Sequence, residues 1–331
     1  MGKERIKSIA FCCLVLLVHQ AFAQTDAAAP NIELGGFTQV TMTQSEDHEA
    51  FIFGFDRVRL SAKGKLNEFM DYKLQVDFMK QTTDIDKDGD TPGLVKDAVL
   101  TFKPGTMLGI FVGKFKTPVG MEFNTSGKKL DFVKRGLGQA LIFERNTGAM
   151  FQTNKIGRAG FGCAAGIFNY GPNGANNTGN PAEGHDYTVA GSLSIDPQKD
   201  NHLEIFFGSA LTSSQGQKNI HVLGAGIRSK IIQRLHLKGE FISRNDEQNG
   251  ASDGSDFYAQ SGFLLNRMFE LAIKYEKLDV SDHSKDQKNI TLGVNLFLNS
   301  EMHEQARIQV NYVISDLNGK DAFQVMFQGA F

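Results

Sequence analysis

The chain has 331 residues, of which 22% are charged and 41% are hydrophobic, and it contains 27 phenylalanines, 35 glycines and no tryptophan. Its formal net charge of −2 is not the balance of a nucleic-acid-binding protein, so we expect no nucleic acid partner. A mean hydropathy of −0.25 excludes a bundle of membrane helices.

The first 23 residues predict a secretory signal peptide. A basic stretch precedes the apolar run 8–18, which is too short to span a bilayer, and small residues follow up to Ala23. A lipoprotein signal at Cys12 or Cys13 is the alternative, but both cysteines lie inside the apolar run. We expect cleavage after Ala23, which leaves residues 24–331 as a single exported domain.

The remaining sequence consists of short segments in which apolar and polar residues alternate. In "QRLHLKGEFISR", Leu235, Leu237 and Phe241 share one face, and charged residues occupy the other. "NITLGVNLFL" and "ARIQVNYVIS" repeat the pattern. A side-chain period of two with one apolar face predicts half-buried β-strands. We predict about sixteen strands, beginning near residues 31, 51, 69, 94, 107, 147, 159, 186, 201, 218, 233, 255, 269, 287, 304 and 321.

This strand pattern favours an all-β transmembrane antiparallel β-barrel over a soluble β-sandwich. The strand number is even, the connections alternate between short and long, and no linker divides the chain. A closed barrel pairs every backbone group in lipid, so we expect an apolar outer face against outer-membrane lipid and lipopolysaccharide. The last strand ends on Phe331, which is similar to the signal recognised by the outer-membrane insertion machinery. The predicted location is the Gram-negative outer membrane.

The longest connection, residues 117–146, is too long for a plain hairpin. It contains apolar residues that an outward loop would expose to water: Leu130, Phe132, Val133, Leu137, Leu141, Ile142 and Phe143. Because a barrel of sixteen strands encloses an aqueous channel, we predict that this third long loop folds into the lumen and narrows it. Its five cations outnumber its three acids, and a positive constriction favours anions.

Several segments in roughly the first third of the chain resemble the phosphate-selective porins O and P of Gram-negative outer membranes. They are "DRVRLSAKGKLNEFMDYKLQVDF" (56–78), "VKDAVLTFKP" (95–104), "VGKFKTPVG" (112–120), "LDFVKR" (130–135) and "ERNTG" (144–148). The resemblance implies a sixteen-stranded and usually trimeric pore, with a basic lumen and an inward-folded third loop. It implies passive diffusion of small anions and no cofactor.

The candidate anion-binding residues come from the barrel wall and from the long loop. Arg57 and Arg59 match the family's basic pair, and alternation places both on the lumen face. The other candidates are Lys63 and Lys73 on the wall, and Lys128, Lys129, Lys134, Arg135 and Arg145 in the loop.

The phosphate-selecting members of the family also use a lysine cluster that has no residue-by-residue match here. Lys128 and Lys129 are candidates by location only. Four acids on or near the lumen would weaken an anion preference: Glu144, Glu240, Glu270 and Glu276. Selectivity for phosphate or pyrophosphate and a broader, non-selective pore therefore both stay open.

An acidic segment is similar to the start of a calcium-binding loop. Asp84, Asp86 and Asp88 alternate before Gly89, but the EF-hand pattern needs a glutamate at its twelfth position, where Val95 stands. We interpret the segment as an acidic external loop and predict no metal site.

Two other classes of protein are weaker alternatives to a porin. An outer-membrane hydrolase would need a nucleophile beside a histidine, but neighbours such as Ser281, Asp282 and His283 point apart on a strand. We predict no enzymatic activity. A structural or adhesive barrel would have its lumen plugged by the 117–146 loop, whereas a pore would keep a basic gap beside that loop.

Overall fold

The computed structural model describes residues 32–46, 48–79, 94–170, 186–198, 200–213, 219–246, 253–317 and 320–331. The predicted signal peptide and the acidic segment containing Asp84, Asp86 and Asp88 lie outside these residues. Within the described ranges, no helix has the length and hydrophobicity that a membrane-spanning helix requires.

Sixteen antiparallel strands form one closed barrel, in which every strand pairs with its sequence neighbours and β1 pairs with β16. The predicted strand starts agree with the observed ones within three residues, so the predicted barrel is confirmed. The strands are β1 (Ile32–Ser45), β2 (His48–Asn67), β3 (Met70–Asp77), β4 (Val95–Phe102), β5 (Leu108–Lys116), β6 (Arg145–Thr153), β7 (Phe161–Asn169), β8 (Tyr187–Gln198), β9 (Asn201–Leu211), β10 (Ile220–Ile232), β11 (Leu235–Asp246), β12 (Gly254–Leu264), β13 (Phe269–Val280), β14 (Gln287–Phe297), β15 (Ala306–Leu317) and β16 (Ala322–Ala330).

Alternation along the strands separates an apolar outer face from a largely polar inner face. On β13, Leu271 and Ile273 are exposed on the outside, whereas Lys274 is buried inside. On β15, the inward Gln309 and Asn311 are almost fully buried. An exposed apolar outer band with a polar interior is the pattern of a barrel that faces lipid.

The two ends of the barrel differ in their connections. At one end the strands are joined by short turns such as 68–69, 233–234 and 265–268, and we call this the short-turn end. At the other end, the long-loop end, lie the longer connections, including the one between β5 and β6. The chain closes the barrel at the short-turn end, because the Phe331 amide donates to the Gly36 carbonyl at 3.0 Å and the Gly36 amide donates to the Phe331 carbonyl at 3.1 Å.

The closing seam predicts different effects for two glycine substitutions. A Cβ on Gly36 would lie 2.7 Å from the Arg59 carbonyl oxygen and 2.8 Å from the Phe331 ring, whereas one on Gly329 would meet no atom within 4 Å. We expect Gly36→Ala to lower the free energy of unfolding by about 1–3 kcal/mol, because backbone must move to accept it. The matched Gly329→Ala should change it by less than about 0.5 kcal/mol. Urea unfolding of the folded barrel in lipid measures both, and equal effects would contradict this account of the seam.

Candidate pore constriction

The connection between β5 and β6 enters the lumen, as predicted. It contains one turn of α-helix, α1 (Met121–Asn124), and two 3-10 turns at Gly127–Lys129 and Leu137–Leu141. We call residues 117–144 the constriction loop, because β6 begins at Arg145. The apolar residues predicted to pack inside are buried, apart from Leu137, which is partly buried.

One side of the constriction loop packs against apolar residues of the barrel wall. Ile142 and Phe143 are at most 2% exposed and belong to a cluster that includes Phe206 of β9 and Val222 of β10. A Cβ on Gly208 would collide with the Phe143 ring, so this inward glycine makes space for the loop. The hydrophobic effect therefore holds this part of the loop against the wall.

Carboxylates of the wall bind the backbone amides of the loop. Glu240 of β11 accepts hydrogen bonds from the amides of Met121 and Glu122, the latter at 3.0 Å, at the start of α1. Glu276 of β13 accepts from the Leu137 amide at 3.2 Å. The buried Lys274 lies 3.2 Å from Glu122 and 3.0 Å from Glu276, so it balances part of this negative charge.

Amide side chains of the wall fix the middle of the loop. Gln309 donates to the Asp131 carbonyl at 2.8 Å, and Asn295 donates to the same oxygen at 3.0 Å. Asn311 accepts from the Val133 amide at 2.9 Å. These bonds place the middle of the loop against β14 and β15.

Loss of the Glu240 carboxylate should release the loop. In Glu240→Ala the first amides of α1 lose their acceptor in a buried place, which costs about 1–3 kcal/mol. We expect a larger and noisier single-channel conductance, because the loop narrows the lumen less. Glu33→Ala is the matched control, because Glu33 is 60% exposed and pairs only with the exposed Lys63 among the described residues. Unchanged conductance in Glu240→Ala would show that Glu240 does not hold the loop.

A cavity of about 310 Å³ lies between the constriction loop and the wall formed by β1–β6. Asn124, Ser126 and Gly127 form its loop side. Its wall side carries four basic residues: Arg59, Lys73, Lys116 and Arg145. We call this cavity the basic gap. A basic space of this kind beside the loop is what a pore would keep and a plug would fill.

Two aspartates pair with three of the cations at the gap. Arg59 lies 2.8 Å from Asp77. Asp97 lies 2.8 Å from Arg145 and 2.5 Å from Lys73. Such pairs hold the long basic side chains in place, but they also neutralise part of the positive charge.

Two further cations face the loop backbone instead of a carboxylate. Lys116 donates to the carbonyls of Phe123 at 2.5 Å and Thr125 at 3.1 Å, and Arg135 donates to Thr125 at 2.7 Å. Neither has an ion pair with a carboxylate among the described residues. Burial, with Arg57 nearby, lowers the pKa of Arg135 to about 10, so its guanidinium stays charged at neutral pH.

The ring of Phe123 lies at the centre of this group. Lys116, Arg135 and Arg145 stand 5.0, 5.5 and 5.9 Å from its centroid, which are cation–π distances. The six cations that we call the basic cluster are Arg57, Arg59, Lys73, Lys116, Arg135 and Arg145. Their aspartate partners are Asp56, Asp77 and Asp97. Basic side chains outnumber aspartates in this cluster, which gives the gap a positive field.

Five of the nine predicted basic residues belong to this cluster, and four lie elsewhere. Lys134 pairs with Asp56 beside the cluster. Lys63 lies towards the short-turn end, where it is 62% exposed and 2.8 Å from Glu33. Lys128 and Lys129 face a second cavity of about 200 Å³, which also contains Glu304 and Arg307.

The four acids expected to weaken the anion preference lie away from the gap. Glu240 and Glu276 bind loop amides, Glu270 accepts from Asn295 at 2.8 Å, and Glu144 accepts from Gln139 at 2.6 Å. None of the four lines the basic gap. The four acids therefore act as hydrogen-bond acceptors for the loop backbone and for neighbouring side-chain amides.

The sequence reasoning missed Lys116 and the apolar part of the lumen. Alternation gives opposite faces to Phe115 and Lys116, yet both contribute to the gap, because β5 ends there and the chain turns inward. The side chain of Phe206 points inward and that of Phe207 points outward. Because both are apolar, they interrupt the alternation of apolar and polar residues along β9. Two apolar residues in succession on a strand would have predicted an apolar patch on the inner face of the barrel.

One set of side chains has the composition of a metal site. Asp131, His236 and Glu270 place potential ligand atoms within 4.8 Å of one another. Lys238 already lies 2.5 Å from Asp131, and Gln260 also donates to that carboxylate. Burial alone would raise the pKa of Asp131, but the charges of Lys238 and His236 lower it below its usual value. The arrangement thus fits an ion-pair network between loop and wall.

The residues considered for hydrolase chemistry do not form a nucleophile–base pair. His283 lies 3.0 Å from Asp286, and the Ser281 hydroxyl donates to the Asp253 carbonyl at 3.3 Å. Asp282 instead accepts from Ser284.

Comparisons with known proteins agree with this architecture. The family model "Phosphate-selective porin O and P" matches residues 31–205, which is more than half of the chain. No curated protein matches the sequence.

Solved structures share the fold at low sequence identity. The anion-selective porin from Comamonas acidovorans is 12% identical with a TM-score of 0.65, over 92% of this chain and 100% of that one. The outer membrane channel DcaP of Acinetobacter baumannii is 11% identical with a TM-score of 0.65, over 93% and 99%. The trimer form of OmpT, an outer membrane protein of Vibrio cholerae, is 12% identical with a TM-score of 0.57, over 92% and 100%.

Proposed function

This chain belongs to the phosphate-selective porin O and P family, and we propose that the basic gap is its route for the passive diffusion of small anions across the outer membrane. The observation that carries the proposal is the position of the constriction loop, which leaves beside it a gap lined by four basic residues and one aspartate. The protein is an outer-membrane porin, and its mechanism is electrostatic.

The field of the basic cluster attracts anions because the surrounding protein screens charge less than water does. Charges at a narrow gap with low-dielectric walls raise the local concentration of oppositely charged solutes. Arg135 contributes uncompensated positive charge, because its guanidinium contacts a carbonyl oxygen and not a carboxylate. The positions of these cations are fixed by the loop, so selectivity depends on the loop staying in place.

Phosphate is one anion that this gap would pass. Arginine side chains bind phosphate oxygens through paired N–H donors, and Arg59 and Arg145 each line the gap. Both also contact aspartates, at 2.8 Å in each case, which limits the donors left for a phosphate. We therefore propose a general anion pore in which phosphate and pyrophosphate pass among other anions.

We further propose that the protein is exported with residues 1–23 as a signal peptide and assembles as a homotrimer in contact with lipid and lipopolysaccharide. The solved trimer form of OmpT, which shares the fold, supports a trimer. The exposed Phe331 at the end of β16 supports recognition by the barrel-insertion machinery.

The first experiment is single-channel recording of the refolded protein in planar bilayers under a chloride gradient. We expect stepwise currents with a reversal potential that favours anions. Folded barrels that give no steps would favour the structural alternative with a closed lumen. A cation-favouring reversal potential would contradict the anion route.

Added phosphate separates the two substrate alternatives in the same recordings. We expect phosphate to carry current in proportion to its concentration and to block chloride current only weakly. Strong block at micromolar phosphate would instead reveal a phosphate-selective site.

A pair of charge-removing variants tests which lysines set the selectivity. Two unit charges about 4 Å apart in water interact by about 1 kcal/mol, and this energy corresponds to a change of about fivefold in a permeability ratio. We expect Lys73→Gln, which removes a lysine that lines the basic gap, to lower the chloride-to-potassium permeability ratio by about twofold to fivefold. The matched Lys128→Gln/Lys129→Gln variant should change the ratio less, although it removes two charges, because these lysines face the second cavity. A larger effect of the Lys128/Lys129 pair would assign the field to the other side of the loop.

A further inference from the structure

The wall of the basic gap contains apolar side chains that a channel for bare inorganic anions does not need. Val99 of β4, Phe111 and Phe115 of β5, and Met150 of β6 line the same cavity as the cations. Phe37 of β1 lines it on the other side. Barrel lumens of porins are polar, so an apolar patch beside the constriction loop requires an explanation.

These side chains form one continuous surface on neighbouring strands. Phe111 is paired in register with Thr101 on β4 and with Met150 on β6, and Val99 is paired with Gly113. The rings of Phe111 and Phe115 lie 5.9 Å apart. Gly113, opposite Val99, adds no side chain to the wall.

The cations lie directly beside this surface. Arg59 stands 5.6 Å from the centroid of Phe37, and Lys116 follows Phe115 in sequence, at the loop end of β5. Arg145 is the residue paired in register with Lys116. A solute in the gap therefore meets positive charge towards the constriction loop and an apolar wall next to it.

We propose that the preferred solutes of this gap are small organic anions with an apolar part, such as aromatic or branched carboxylates. The carboxylate would interact with Arg59, Lys116 and Arg145, and the apolar part would contact Val99, Phe111 and Met150. This inference rests on the proposed anion route and names its substrate class. A fully hydrated inorganic anion gains nothing from apolar contact, whereas a ring buries apolar area against this wall.

Benzoate and acetate are the probes, because they carry the same carboxylate and differ in the apolar part. We expect benzoate to reduce the chloride current of the folded protein at a concentration about tenfold or more below that of acetate. With benzoate or acetate as the only anion on one side, reversal potentials should rank benzoate as the more permeant of the two.

The double variant Val99→Thr/Met150→Gln assigns the effect to the wall. Both substitutions keep approximate shape and add polarity, so benzoate and acetate should act at concentrations within about threefold of each other. Anion-selective chloride current from the same sample shows that the double variant has folded. Val112→Thr is the matched control, since Val112 is 53% exposed on the outer face of β5, and it should keep the wild-type preference.

The outcomes separate this inference from the proposed function. Anion-selective currents with equal sensitivity to benzoate and acetate would overturn the organic-anion inference and leave the anion route intact. A benzoate preference that survives in the folded double variant would overturn its assignment to this wall. The absence of anion-selective current in wild-type protein would overturn the proposed function itself.

Discussion

The off-centre attachment of the constriction loop is the constraint on which the rest of the lumen depends. Glu240, Asn295 and Gln309 bind its backbone from one side of the barrel. On the other side of the loop, Lys116 and Arg135 donate to its carbonyls. The wall acids Glu240 and Glu276 thus meet loop amides away from the gap, whereas basic side chains meet loop carbonyls beside it.

This separation explains how a protein with a small negative net charge presents a positive gap. The formal charge of −2 describes the whole chain, but many acids are used as acceptors for the loop or as partners of buried lysines such as Lys274. Burying a carboxylate is tolerable only where donors surround it. The wall carboxylates satisfy this condition by binding loop amides, and their charges act away from the passage.

Much of the architecture was predictable from the sequence, because a barrel in lipid has few alternatives. The period of two, the even number of segments and the terminal Phe331 predict a closed sheet. The apolar residues of the loop predict its place inside the lumen. Arg57 and Arg59 could be assigned to the lumen because alternation holds from Arg57 onwards in β2.

The details of the constriction were less predictable, because they depend on contacts between distant segments. Alternation fails at Lys116, where β5 ends, and it says nothing about which side of the lumen receives Lys128 and Lys129. A bulge in β2 opposite Gln39 and Val40 also shifts the register, so Asp56 and Arg57 both contribute to the ion pairs beside the gap. Only the folded loop determines which charges are neutralised.

The apolar cluster around Phe143 and Phe206 is stabilised by the hydrophobic effect, because the lumen outside it contains water. The outer wall gains its stability in lipid, but the loop is held partly by removal of apolar surface from the aqueous lumen. Such burial weakens on cooling, unlike a hydrogen-bonded ladder in hydrocarbon. The barrel wall and the position of the loop therefore depend on temperature through different forces. On cooling, the strands keep their pairing while the loop is held less tightly, so the width of the passage changes without a change in the barrel.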